Sequence, residues 1–260
     1  MFADVVQRVY RTRIFSAMES VEQQILVYDA RVATKVRNAM ILPIPTRPGT
    51  QAAIELVDLS GYASFFDTLS SMFEEAVSAA MPCATPAQSV LAVVRVGAFE
   101  ASIVPTVDDL SRLDRRFSFA GESFLPWRRK RGLLDVVRDR YADHAFVVYQ
   151  IAKGESHLHP FGLRFKTRYQ SLFFPTLHVH DGDAPAQTPF DHELYAQRAS
   201  FLSEEMERTG QPFWEVARNE RSTLPARGSL PSFVDSRSPV IRMQVGGLLP
   251  NQDTFARAVG

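Results

Sequence analysis

The run Ala145–Gly182, AFVVYQIAKGESHLHPFGLRFKTRYQSLFFPTLHVHDG, decides the fold. Phe146-Val147-Val148-Tyr149-Gln150-Ile151 is almost wholly β-branched and aromatic, which suits a pleated and mostly buried surface. Lys153-Gly154-Glu155-Ser156 is polar and contains glycine, so it reads as a turn. Beyond it, Phe161, Leu163 and Phe165 alternate with Gly162, Arg164 and Lys166. That period of two places the apolar set on one face and the basic set, extended by Arg168, on the other. After a polar break at Tyr169-Gln170, Leu172-Phe173-Phe174 runs through Pro175 into Thr176-Leu177-His178-Val179-His180. Proline cannot donate to a ladder, so Pro175 marks a bulge or an edge, and Asp181-Gly182-Asp183 ends the strand. An antiparallel meander of three strands is the expected arrangement.

Working outward, further strands are expected at Ile25–Tyr28, Asn38–Pro45, Val90–Val96, Phe99–Val104 and Val240–Val245. Three helices fall between the strand clusters. The first, 62–80, carries Phe65, Phe66, Leu69, Met72, Phe73 and Val77 at helical spacing, a stripe whose plain reading is core packing. The second, 106–117, starts at Thr106 as N-cap, with Asp109 in the capping-box position. The third, 191–209, has Asp191 as N-cap and Gly210 as its stop. Shorter helical pieces are expected around Val5–Tyr10, Leu133–Tyr141 and Gln211–Asn219. Arg221–Pro239, rich in Ser, Pro, Arg and Gly, reads as irregular or partly disordered. The expectation is one compact α+β domain over 1–260, mainly antiparallel, with helices between strand clusters.

Composition bounds the function. The 260 residues carry 29 basic and 29 acidic side chains, so no global field steers the chain to nucleic acid or an anionic membrane. A single cysteine, Cys83, excludes an intrachain disulfide and fits a reducing compartment. The N-terminal residues do not read as a signal peptide, and no run approaches the roughly 20 apolar residues of a membrane helix. A soluble, cytoplasmic protein is expected. Of the 29 basic residues 25 are arginine, which points to a GC-rich, bacterial genome.

The segment NAMILPIP (Asn38–Pro45), taken with HAFVVYQIAKG, PFGLRFKTR and LFFPTLHV further on, resembles an uncharacterised bacterial family. Its members pair an aromatic-apolar-Leu-Pro-x-Pro strand with a later Phe-Val strand and a Pro-Leu-x-Leu-x-Phe strand. The resemblance implies a β-rich fold and carries no activity. This chain lacks the secretion signal and extra cysteines of such proteins.

The sharpest chemical pattern is histidine. His157, His159, His178, His180 and His192 lie in or near the central run, and His144 directly precedes it. In a strand, His178 and His180 project to one face about 6–7 Å apart. With His192 and Asp181 they could hold a divalent metal at the usual 2.0–2.1 Å from each nitrogen. His157 and His159 form a second same-face pair. No HExxH, GxSxG, P-loop or GxGxxG accompanies them. A second pattern is Arg128, Arg129, Lys130 and Arg131 beside Trp127, residues that could clamp phosphates and stack a base. The neutral total charge favours a solvated loop there, without tight binding to DNA or RNA.

Three functions follow in order. First is a non-enzymatic structural or interaction module with a protein partner. Second is a metal-dependent hydrolase centred on His178, His180 and His192. Third is a phosphate or nucleic-acid binder through Arg128–Arg131.

Overall fold

The computed structural model describes residues 1–2, 6–73, 94–96, 99–113, 131–179, 184–200, 214–217 and 230–258. Strand β7 (Ala145–Ile151) shows how the chain is organised. Phe146 and Val148 enter one hydrophobic cluster, while Ala145, Val147, Tyr149 and Ile151 enter another. A strand buried on both faces needs cover on both sides, and its sequence reads as a continuous apolar run. β7 lies between β3 (Asn38–Ile44) and β6 (Phe99–Val104), with β5 (Val94–Val96) beyond, all antiparallel.

A seven-stranded sheet packs against this one. It holds β1 (Arg8–Met18), β2 (Gln23–Thr34), β4 (Glu55–Val57), β8 (Gly154–Lys166), β10 (Gln187–Gln197), β12 (Trp214–Ala217) and β13 (Val240–Pro250). Their order is β12-β13-β10-β1-β2-β8-β4. Among the described pairings only β1 with β10 is parallel, which sets Thr12 opposite His192. A three-stranded sheet joins β9 (Ser171–Phe174), β11 (Ala199–Ser200) and β14 (Thr254–Ala258).

The pleat sorts side chains into layers. Ile14, Leu26, Leu163 and Leu194 of the large sheet share a core with Met40, Leu42, Val147 and Tyr149 of the four-stranded sheet. On the far side of the large sheet, Phe15, Val27 and Tyr195 meet Phe65, Phe66 and Leu69 of helix α1 (Phe65–Ser71). On the far side of the smaller sheet, Ile41, Phe146 and Val148 meet Leu133, Val137 and Tyr141 of helix α2 (Arg131–Tyr141). Those three α2 residues recur every four positions, one face of a helix. Each fully buried large apolar side chain contributes roughly 1.5–3 kcal/mol, so the inter-sheet core dominates the fold. Gly162 admits edge strand β4: a Cβ there would lie 2.9 Å from the Val57 Cβ.

The sheet-rich, mainly antiparallel fold matches expectation; several elements do not. The central run is no meander, because β7, β8 and β9 lie in three different sheets. Each needs neighbours from elsewhere in the chain, since both of its faces or edges are covered. Residues 187–197, most of them expected as the start of a helix over 191–209, form β10. Thr188, Phe190 and His192 are buried between exposed Gln187, Pro189 and Asp191, a period of two. The continuous burial of Leu194–Gln197 hid that period. Trp214–Ala217 is likewise strand, and Arg8, Val9 and Tyr10 of the helical piece expected around Val5–Tyr10 belong to β1, Val5 lying outside the described residues.

Of the helix expected at 106–117, Asp108–Arg112 is a short 3-10 turn, and 114–117 lie outside the described residues. Its N-cap is Val107, without a side-chain cap, and not Thr106; Thr106 Oγ1 instead donates to Asp109 Oδ2 (2.8 Å) and accepts from the Asp109 N–H (3.4 Å). Of the helix expected over 62–80, α1 covers Phe65–Ser71, and 74–80 lie outside the described residues. Within the segment expected to be irregular, 230–239 consists of turns. Gln197 pins it by donating from Nε2 to the Asp235 (2.6 Å) and Ser238 (2.9 Å) carbonyls.

Candidate functional site

His178 and His192 come together, by a route different from the one their spacing suggests. His192 sits on β10, between β1 and β13, and is 4% exposed. His178 follows β9 in extended chain outside any ladder. Side chains of the turn before β14 take the place of a neighbouring strand. Asn251 Oδ1 accepts from the His178 N–H and Asn251 Nδ2 donates to the His178 carbonyl, both at 2.7 Å. Asp253 Oδ1 accepts from the Leu177 N–H at 2.9 Å. These bonds satisfy backbone groups that no ladder reaches.

The two imidazoles meet edge to edge, Nε2 to Nε2 at 3.2 Å, beneath the Phe190 ring. Burial lowers the His192 pKa to about 3, so His192 is neutral and one Nε2 donates to the other. Thr188 Oγ1 lies 3.4 Å from His178 Nδ1. A bulge in β1, with Arg11 at φ +52°, turns the Arg11 N–H onto Asp191 Oδ2 (2.9 Å). The cavity alongside, lined in part by Thr12, Tyr28 and both histidines, measures only about 20 Å³.

Of the other sequence candidates, His180 and Asp181 lie outside the described residues, as do Arg128, Arg129 and Lys130. Arg131 is the first residue of α2. His157 is held by Asp29, Nε2 to Oδ1 at 2.9 Å, and His159 Nδ1 lies 3.1 Å from the Pro160 carbonyl. Among the described residues no group of three or more His, Cys, Asp or Glu side chains converges as a metal site would require. Two of the basic residues read from that run are matched by acids: Arg164 of β8 pairs with Glu19 (2.6 Å) and Glu55 (2.7 Å), and Arg168, just beyond β8, with Asp143 (3.3 Å).

A larger site was missed in the sequence. A cavity of about 330 Å³ opens where the end of α2, the start of β9 and the turn before β14 meet. Tyr141, His144, Tyr169, Phe173 and Phe255 wall it, and Asp253 lines it. Tyr169 stands at 85° to Phe255 and Tyr141 at 72° to His144, so the rings form corners and not a stack. Tyr141 donates its hydroxyl to Asp253 Oδ2 at 2.5 Å. Burial raises the Asp253 pKa against the hydrogen bonds from Tyr141 and Leu177, and burial beside Asp253 raises the Tyr141 phenol. Burial, with the nearby Arg168 charge, lowers the His144 pKa to about 4. Its Nδ1 is buried and has no hydrogen-bond partner. A pocket of a few hundred Å3 with converging polar groups and displaced pKa values is where a binding site is expected.

No family model matches the chain. Its architecture defines a class: mainly antiparallel sheets packed face to face, with a helix on each outer side. Within that class the fold is similar to that of baculovirus P35. The crystal structure of baculovirus P35 aligns at 14% identity and a TM-score of 0.55, over 98% of this chain and 100% of that one. A mutated baculovirus P35 after caspase cleavage aligns at 12% identity and a TM-score of 0.52, over 96% and 100%. A further structure of a mutated P35 after caspase cleavage aligns at 10% identity and a TM-score of 0.52, over 97% and 98%. At such identities the likeness is one of fold. Among the described residues no helix is long and apolar enough to cross a membrane.

Proposed function

We propose that this chain is a non-enzymatic protein-binding module whose partner is a protease of the caspase class. One observation carries the reading: the fold matches baculovirus P35 across essentially the full length of both chains. Mutated forms of that protein are known after caspase cleavage. The test is to mix the purified chain with each of a panel of active caspases and separate the products by size. Co-elution with at least one of them is expected. Separate elution from every caspase, by chain of native circular dichroism, would overturn the reading.

A second reading, a metal-dependent hydrolase at the histidines, is favoured by one distance. Two Nε2 atoms 3.2 Å apart are spaced as cis ligands of one cation at about 2.0–2.1 Å would be. Elemental analysis tests it: stoichiometric metal that His178→Ala removes would support a hydrolase, and metal-free protein would end that reading.

A further inference from the structure

The cavity beside Asp253 carries an inference independent of the protease reading. Asp253 is a half-buried carboxylate lining this cavity, and a charge partly withdrawn from water gains from a partner. Its hydrogen bonds come from the Tyr141 hydroxyl and from the Leu177 and Thr176 backbone, all uncharged. The Met1 amine also acts on it, though burial lowers the pKa of that amine to about 5. Arg140 stands at the rim, exposed, where solvent and salt screen its field. Arg168 is engaged by the carbonyl and carboxylate of Asp143.

The walls suit the missing charge. Ring faces attract cations within about 6 Å, most strongly where water is excluded. Tyr169 and Phe255 supply two walls meeting near a right angle. His144, neutral and 6% exposed, brings a buried nitrogen without a partner, which a guest N–H can use. The protein already contains such an assembly elsewhere. Arg13 donates from Nε to buried Asp29 at 2.8 Å, while its guanidinium carbon lies 5.2 Å from the Phe66 ring centroid. Carboxylate and aromatic face recur at Asp253, with a cavity where the guanidinium would be.

We propose that this cavity binds an organic cation bearing N–H donors, an alkylguanidinium or alkylammonium, with Asp253 as counter-ion and Tyr169 and Phe255 as walls. The cation could belong to a free amine or to an arginine or lysine side chain of a protein. The probes are butylguanidinium, its neutral isostere butylurea, and a blocked Gly-Arg-Gly peptide, titrated while following the ring resonances of Tyr169 and Phe255. Butylguanidinium should move these resonances saturably below about 10 mM, and butylurea at least tenfold more weakly. Asp253→Asn should weaken butylguanidinium at least tenfold and Tyr169→Leu several-fold. Equal response to the peptide assigns a side-chain source, and response to butylguanidinium alone a free cation; both support the site. Equal binding of butylurea, no saturable shift, or unaltered affinity in Asp253→Asn would overturn it. Should Asp253→Asn not fold, the contrast of butylguanidinium with butylurea on the unaltered chain decides.

Discussion

Asp29 and Asp253 are a buried and a half-buried carboxylate with opposite surroundings. Asp29, its side chain 1% exposed, is gripped by Arg13 and approached by His157 at 2.9 Å. Burial still raises its pKa, against both partners, but the charge is matched within the fold. Asp253 is hydrogen-bonded by a phenol and by backbone amides, with no side-chain cation against it among the described residues, and beside it lies a cavity of about 330 Å3. The first carboxylate is part of the scaffold. The second is a polar group whose partner the fold does not supply. Burial alone does not separate a core residue from a site residue; the completeness of its neighbours does.

The largest effect that sharpens this contrast is expected at Arg13. Arg13→Ala leaves Asp29 buried and without its main counter-charge, and should cost about 3–5 kcal/mol in urea unfolding at pH 7. A loss below about 1 kcal/mol would mean that Asp29 is no better matched than Asp253.

Acid comes next, through the two buried histidines. His192 and His144 have folded pKa values of about 3 and about 4, lowered by burial, so the unfolded chain binds more protons below the ordinary histidine value. Their contribution to stability is complete above about pH 6.5 and is lost as pH falls from there towards the folded values. Replacing His144 by Gln should flatten the decline between about pH 6.5 and 4 while leaving the part due to His192. An unchanged pH profile would show that His144 is protonated in the fold.

The smallest effect is expected at Asp253. Removing a half-buried charge without a side-chain cation against it relieves desolvation, and Asn can still accept from the Leu177 N–H. Asp253→Asn should therefore change stability by no more than about 1 kcal/mol at pH 7, in either direction. A loss near that of Arg13→Ala would show that the carboxylate is as fully matched as Asp29.

Much of the scaffold is legible in the sequence. Residues 146–151 and 38–45 are continuous apolar runs because helices and sheets cover both of their faces, and the stripe at Phe65, Phe66 and Leu69 is indeed core. What fails is pairing. Nothing local in 145–182 reveals that its strands belong to three sheets, since that choice rests on contacts with β2, β3 and β14. β10 was misread because Leu194, Tyr195, Ala196 and Gln197 are all buried, so neither period stands out.

The sites follow the same logic. His178 and His192 lie in contact, one in extended chain sewn to Asn251 and the other in a strand expected to be helix, while His180 and Asp181 lie outside the described residues. Asp253 carried no signal. It lies in a short polar turn, and Tyr169, the ring opposite it across the cavity, is far away in sequence. Side-chain bonds from 251–253 to 176–178 replace a strand there, and no periodicity records them.

The proposed binding of a protease is tested most directly by one titration. A fixed amount of each active caspase is mixed with increasing amounts of the chain, and residual peptidase activity is read together with the mass of the chain. For at least one caspase the account predicts a linear fall to an end point at a fixed molar ratio, with the chain held in complex. Full activity of every caspase at a large molar excess of intact, folded chain would contradict it.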